Sequence, residues 1–264
     1  MQGYENNQRV ADANAVMGLA VMTVLGDRED QQDSFGYELF NDEGLVIVCD
    51  GMGGHDGGKL ASTLSVEEFL KEYKQNRPLA DPIAFLQETT QKANAVVSSL
   101  TGPDGHPLNA GSTLVAIYIR GNQLYWNSVG DSRAYLLRDG EFAQITLDHN
   151  YRTVLMEQWR AGLIDERKFN KESARAEALI SYLGIRDLQL IDYNDAPLEL
   201  KQGDKIVIMT DGLYKLATDA EIFRVVENFS NIEEALQALE MKAQKNSKTG
   251  IRRDNMTIAL IEVL

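Results

Sequence analysis

Four aspartates stand at or beside the ends of apolar segments, where they could bind metal ions together. Asp50 ends the run LVIVC and Asp211 ends the run KIVIMT, while Asp33 and Asp254 come just before further β-type segments. Carboxylates gathered at one edge of a sheet would repel one another, so we expect cations to fill the space between them. Oxygen ligands without a Cys/His cluster favour Mg²⁺ or Mn²⁺ over zinc.

The stretch after Asp50 is a glycine-dense turn, GMGGHDGG, over residues 51–58. Glycine lets the backbone come close to a small ligand, and Gly51 could offer its carbonyl beside the Asp50 carboxylate. Two ions held in this way would lie about 3.5–4 Å apart and share a bridging water. An Asp-Gly pair by itself is typical of a solvated turn, so the metal hypothesis depends on the other three aspartates meeting it.

The rest of the chain predicts one compact α+β domain over residues 1–264 that places these aspartates. The polar residues 1–14 are expected to be loosely ordered, and residues 148–185 to be helical and irregular. Short β-type segments in series, with compact turns between several of them, indicate sheet-on-sheet packing. Strands are predicted at 15–25, 34–40, 45–49, 112–120, 123–129, 133–138, 141–145, 185–194, 205–209 and 256–263, and helices at 59–75, from 82 onward, 219–229 and 231–245.

Composition excludes several classes of function. The net charge of −14 argues against nucleic acid or an anionic membrane as the main partner. A single cysteine, Cys49, excludes an internal disulfide and fits a cytoplasmic location. The apolar run 15–25 is too short to span a bilayer and lacks the flanks of a signal peptide, so we interpret it as a core strand.

Six stretches together resemble the metal-dependent protein phosphatase family, in the protein phosphatase 2C-like form found in bacteria. They follow the family's order and cover the chain almost end to end, which makes the set more specific than any one motif. The stretches are GDREDQQDS (26–34), VCDGMGGHDGG (48–58), GSTLVAIYI (111–119), SVGDSRAYLLRDGEFAQITLDHN (128–150), GDKIVIMTDGLYK (203–215) and DNMTIALI (254–261).

This resemblance implies two stacked antiparallel β-sheets flanked by α-helices, with a binuclear metal site at one edge. It implies that Asp50 bridges two Mn²⁺ or Mg²⁺ ions and that the Gly51 carbonyl binds the second ion. Asp33 would help to hold the second ion, largely through water, and Asp211 and Asp254 would bind the first. The implied reaction is hydrolysis of phosphoserine and phosphothreonine in proteins by the metal-activated bridging water.

Two further residues receive roles from the same resemblance. Arg28, five residues before Asp33, would clamp the substrate phosphate, a geometry that a guanidinium offers and an ammonium does not. Asp131 matches a residue that helps to hold a third, weaker ion in bacterial members. The group that protonates the leaving oxygen is unassigned, because Met52 stands where some relatives have His and a role for His55 is not indicated.

The resemblance implies phosphoprotein substrates, made by a serine/threonine kinase, and we expect a monomer with no nucleic-acid or membrane partner. Residues 150–185 take the place of the family's flap beside the active site, but their sequence matches poorly. That difference is explained either by loop variability or by an altered substrate or partner surface. Two alternative functions stay open at this point: a non-catalytic regulator that keeps the fold, and a hydrolase of small phosphoesters.

Overall fold

The computed structural model describes residues 7–54, 57–247 and 252–264 and contains two stacked antiparallel sheets. Within these residues one sheet has the strand order β1-β2-β13-β12-β8-β9, and the other has the order β10-β7-β6-β4-β3, with β11 on β7 and β5 on β4. The strands are β1 (Gln8–Ala13), β2 (Met17–Val24), β3 (Asp33–Phe40), β4 (Glu43–Gly53), β5 (Ala110–Ser112), β6 (Leu114–Arg120), β7 (Gln123–Val129), β8 (Arg133–Arg138), β9 (Glu141–Gln144), β10 (Asp192–Tyr193), β11 (Leu198–Glu199), β12 (Lys205–Met209) and β13 (Met256–Val263).

Helices cover the outer face of each sheet, as the sequence predicts. α1 and α2 pack on the β4–β6 side, while α6 and α7 pack on the β2–β13 side. The helices are α1 (Gly57–Asn76), α2 (Pro82–Ser98), α3 (Tyr151–Arg160), α4 (Glu166–Glu172), α5 (Asp211–Tyr214), α6 (Asp219–Asn228) and α7 (Ile232–Ser247). No helix within the described ranges is both long enough and apolar enough to cross a membrane.

Strand β6 shows why the central strands are apolar along their whole length. Successive side chains of a strand point to opposite faces, and both faces of this sheet are covered. Leu114, Ala116 and Tyr118 therefore pack under the helices, in the cluster that also contains residues of α1 and α2. Val115, Ile117 and Ile119 enter the core between the two sheets.

The predicted elements agree with the structure except at the chain's irregular parts. Residues 8–13 form β1, which pairs with β2, and so they are not loosely ordered as expected; residues 1–6 lie outside the described ranges. The strand predicted at 185–194 is reduced to the two residues of β10, because only these pair with β7. The segment 150–185 is helical and irregular as predicted, and its two helices are joined by a contact between the Trp159 and Phe169 rings.

Candidate metal centre

One cavity of about 640 Å³ collects six of the seven predicted site residues at the same end of the two sheets. It is lined by Arg28, Asp50, Gly51, Asp131, Asp211 and Asp254. The seventh, Asp33, is buried and is the cross-strand partner of Asp50 in the β3–β4 pair. The four aspartates expected on neighbouring strands in fact come as two pairs. β3 and β4 carry one pair, and the other follows β12 and precedes β13 of the facing sheet.

Asp33 ties the two sheets together at this end. Its Oδ2 accepts a 2.9 Å hydrogen bond from the hydroxyl of Thr210, the residue that follows β12 and precedes Asp211. Its Oδ1 is buried and has no hydrogen-bond partner within the described part of the chain. Burial and the nearby charge of Asp211 together raise the Asp33 pKa to about 7, against the opposing effect of the Thr257 and Thr210 hydroxyls. A buried carboxylate with an unpaired oxygen is suited to a bound cation.

Backbone contacts fix the position of Asp50. Its carbonyl accepts from the Thr113 N–H at 2.8 Å, and its own N–H donates to the Thr113 hydroxyl at 2.9 Å. Its carboxylate is partly buried, and burial together with the charges of Asp33 and Asp211 raises its pKa well above the ordinary value. These contacts hold the Asp50 carboxylate between Asp33 of its own sheet and Asp211 of the facing sheet.

Gly51 is required by close backbone packing rather than by an unusual φ angle. Its N–H donates to the Gln32 carbonyl at 3.1 Å, next to Asp33. A Cβ atom at this position would lie 2.0 Å from the carbonyl oxygen of Gly58 and 2.6 Å from that of Gln32. No side chain fits there, so glycine allows the start of α1 to pack against Asp50.

Cationic side chains already contact the two aspartates of the other sheet. Nη2 of Arg28 lies 2.5 Å from Oδ2 of Asp254, and Nζ of Lys215 contacts Oδ2 of Asp211. The Arg28 side chain is 52% exposed, so the guanidinium lies at the mouth of the cavity. The hydrogen bond with Asp254 raises the Arg28 pKa above its ordinary value.

Asp131 lies in the turn between β7 and β8, on the Asp211 side of the cavity. Gly130 takes a φ of 97° in this turn, and its N–H donates to Nδ1 of His149 at 3.2 Å. The backbone N–H of His149 donates in return to the Gly130 carbonyl at 2.8 Å, so His149 fixes the turn. Burial and the charge of Asp211 raise the Asp131 pKa to about 6. His55 lies outside the described residues.

The donor set fits a hard divalent cation. The carboxylates that line the cavity supply oxygen ligands, which hard divalent cations prefer. The buried Oδ1 of Asp33 has no hydrogen-bond partner in the described ranges. Within those ranges, no three His, Cys, Asp or Glu side chains are gathered closely enough to hold an ion as they stand. Asp211 and Asp254 contact Lys215 and Arg28 instead. A bound cation would therefore compete with these two side chains for carboxylate oxygens.

The same cavity is lined by five charged residues that the sequence did not single out as site residues: Glu29, Asp30, Glu177, Lys215 and Arg252. The sequence does contain a signal that could have identified Lys215, because this residue stands four positions after Asp211. That spacing places both on one face of a helix, but α5 is only four residues long and follows directly after a strand. Glu177 comes from the poorly matching 150–185 segment, so only the folded chain brings it to the cavity.

Comparison with known proteins agrees with this arrangement. The family model described as protein phosphatase 2C matches residues 23–154. The serine/threonine phosphatase stp of Listeria innocua is 30% identical over 243 residues, which cover 89% of this chain and 91% of that protein. The serine/threonine phosphatase of S. agalactiae shares the fold with a TM-score of 0.78 at 24% identity, covering 94% of this chain and 100% of that one. The catalytic domain of the serine/threonine protein phosphatase PstP, solved with two manganese ions, has a TM-score of 0.75 at 26% identity, covering 94% of this chain and 99% of that one.

Proposed function

The chain belongs to the protein phosphatase 2C family, and we propose that it is a metal-dependent phosphatase acting on phosphoserine and phosphothreonine in proteins. The observation that carries this proposal is the convergence of Asp33, Asp50, Asp211 and Asp254, from two sheets, beside Arg28 at one cavity. A protein that only binds a partner has no need to keep this combination. The non-catalytic alternative is therefore not favoured.

The metal ligands are proposed from position and chemistry. Asp33, Asp50 and the Gly51 carbonyl would hold one ion, and Asp50, Asp211 and Asp254 the other. When bound, two divalent cations lower the pKa of a water molecule to near neutrality and neutralise phosphate charge. We propose Mn²⁺ or Mg²⁺, because the ligands are all oxygen; the PstP catalytic domain was solved with two manganese ions.

Arg28 is proposed to orient the phosphate. Its guanidinium is held by Asp254 through one nitrogen, Nη2, which leaves the rest of its planar donor set for phosphate oxygens at the cavity mouth. The contact with Asp254 also places this donor set next to the metal ligands. Arg28 therefore links phosphate binding to the site where the ester bond is broken.

Phosphoproteins are the proposed substrates, as the names of the phosphatase relatives suggest, with a serine/threonine kinase as the enzyme that makes them. The cavity is wide, and Glu177 of the 150–185 segment lines its rim, so residues flanking the phosphate would meet this segment.

The monomeric state and the cytoplasmic location stay predictions from the sequence.

The test is hydrolysis of a phosphothreonine peptide with and without Mn²⁺ or Mg²⁺. We expect activity that depends on the metal, is lost in EDTA, and falls at least about 100-fold in Asp211→Asn, since several kcal/mol of charge stabilisation are removed. Asp139→Asn is the matched control, because Asp139 is 74% exposed and forms an ion pair with Lys201 on the surface. It should keep full activity.

Equal activity in EDTA, or in Asp211→Asn, would contradict the proposed function. A parallel assay with a small aromatic phosphate ester separates the remaining alternative. The proposal requires kcat/KM to be higher for the phosphopeptide than for the small ester, since only the peptide reaches the rim of the cavity.

A further inference from the structure

Lys215 lines the cavity and carries a positive charge in contact with a proposed metal ligand, but it has no role in the phosphatase chemistry proposed above. Helix α5 begins at Asp211, directly after β12, and Lys215 follows as its C-cap one turn later. This spacing lets Nζ of Lys215 contact Oδ2 of Asp211. Both side chains line the cavity, where that of Lys215 is 42% exposed and that of Asp211 15%.

Asp131, which is only 6% exposed, lines the same cavity as Lys215. The positive charge of Lys215 acts on the Asp131 carboxylate, partly offsetting the burial that raises its pKa. Arg133, two residues from Asp131, is committed elsewhere: its Nη2 lies 2.7 Å from Asp148 and its guanidinium covers the Tyr214 ring. Lys215 is thus placed to compensate the charges of Asp131 and Asp211 together.

Lys215 lines the cavity together with the carboxylates of Asp211, Asp131 and Glu177. Glu177 comes from the 150–185 segment, which brings a third carboxylate towards the ammonium. Of these carboxylates, Asp211 contacts Lys215, while Glu177 is paired with Arg152.

We propose that Lys215 is a built-in counter-ion on the Asp131 side of the cavity, so that this chain binds two divalent cations and no third. The inference rests on the proposed function for the two-ion centre. It replaces the weaker third ion expected at Asp131 with an ammonium group of the protein itself. Lys215 contacts Oδ2 of Asp211, which leaves the second oxygen of that carboxylate for the ion that Asp211 and Asp50 would hold.

Charge repulsion is the reason a third ion is excluded. A divalent cation bound by Asp131 and Asp211 would lie within a few ångströms of the ammonium, where like charges interact strongly even at an intermediate dielectric constant. Removing the ammonium should tighten binding of a third Mn²⁺ by at least about 100-fold. Lys215→Met keeps most of the aliphatic stem and removes the charge, while Lys215→Arg keeps the charge.

The experiment counts the Mn²⁺ ions bound by the full chain, using titration calorimetry together with electron paramagnetic resonance of free Mn²⁺. We expect two ions for the unchanged chain and for Lys215→Arg, and a third, weaker ion for Lys215→Met. The double variant Lys215→Met/Asp131→Asn should return to two. Lys201→Met is the matched control, because it removes one charge from the surface pair with Asp139 and should leave the count at two.

Three Mn²⁺ ions in the unchanged chain, with the third lost in Asp131→Asn, would overturn the inference even if Lys215→Met failed to fold. A count of two in a folded Lys215→Met variant would overturn it as well. Both results leave the two-ion centre, and with it the proposed phosphatase, intact. Absence of any tight Mn²⁺ in the unchanged chain would instead refute the proposed function and the inference together.

Discussion

The buried Asp33 carboxylate should destabilise the metal-free protein at neutral pH, and Asp33→Asn tests this directly. Asp33 is 4% exposed, and one of its oxygens has no hydrogen-bond partner within the described residues. Burial raises its pKa to about 7 from an ordinary value of 3.8. Asparagine has nearly the same shape, can still accept the Thr210 hydrogen bond, and does not ionise.

The sign and size of the effect follow from proton linkage. Between 3.8 and about 7, folded Asp33 keeps a proton that the unfolded chain has released, so the free energy of unfolding falls as the pH rises. The destabilisation is absent below 3.8 and complete above about 7. This interval corresponds to at most about 4 kcal/mol, and relaxation of the site lowers the value that is measured. We therefore expect Asp33→Asn to be more stable than the unchanged chain by about 1–4 kcal/mol at about pH 8.

The assay is urea denaturation in EDTA at about pH 5 and about pH 8, repeated with Mn²⁺. The advantage of Asp33→Asn should grow between the two pH values. Mn²⁺ at about 100 times its Kd should stabilise the unchanged chain by about 2.7 kcal/mol and the variant by less. The exposed variant Asp139→Asn should show neither effect. The reasoning is refuted if Asp33→Asn is less stable than the unchanged chain in EDTA at both pH values, or if its advantage does not depend on pH.

Two further substitutions test the phosphate clamp and the glycine contact. Arg28→Ala should lower kcat/KM for the phosphopeptide by about 10–100-fold, mainly through KM, because a charge-assisted pair is lost. Arg9→Ala, with a side chain 55% exposed against 52% for Arg28, should leave activity unchanged. Gly51→Ala should weaken Mn²⁺ binding at least about tenfold and lower the unfolding free energy by about 1–3 kcal/mol, because its Cβ meets the Gly58 carbonyl at 2.0 Å. In Gly18→Ala the new Cβ lies 3.7 Å from its nearest neighbour, and metal affinity measured by calorimetry should not change.

The regular part of the fold could be predicted because its sequence patterns are local. β7, β8, β12 and β13 have the predicted bounds, since each is a continuous apolar or alternating run that ends in a turn. β1 was missed because it is polar and largely exposed, and only its pairing with β2 makes it a strand. β10 was overextended because pairing with β7, rather than composition, decides where it ends.

The candidate site was predictable in its members but not in its arrangement. The repeated strand-end context identifies Asp33, Asp50, Asp211 and Asp254 because each depends only on adjacent residues. The sequence could not indicate that they arrive as two pairs from facing sheets, since that depends on strand order. It also gave no reason to single out Thr210, whose hydroxyl joins the sheets through Asp33.

The residue types at the strand ends can be read from the sequence, and they indicate that oxygen ligands and one arginine could meet a phosphate. Tertiary structure alone decided which charges face each other. Lys215 follows Asp211 on a single helical turn, but its place in the same cavity as Asp131 depends on the β12–β8 pairing and on the turn held by His149. Electrostatic energy falls with distance through space rather than along the chain, so the charge balance of this cavity is a property of the folded molecule.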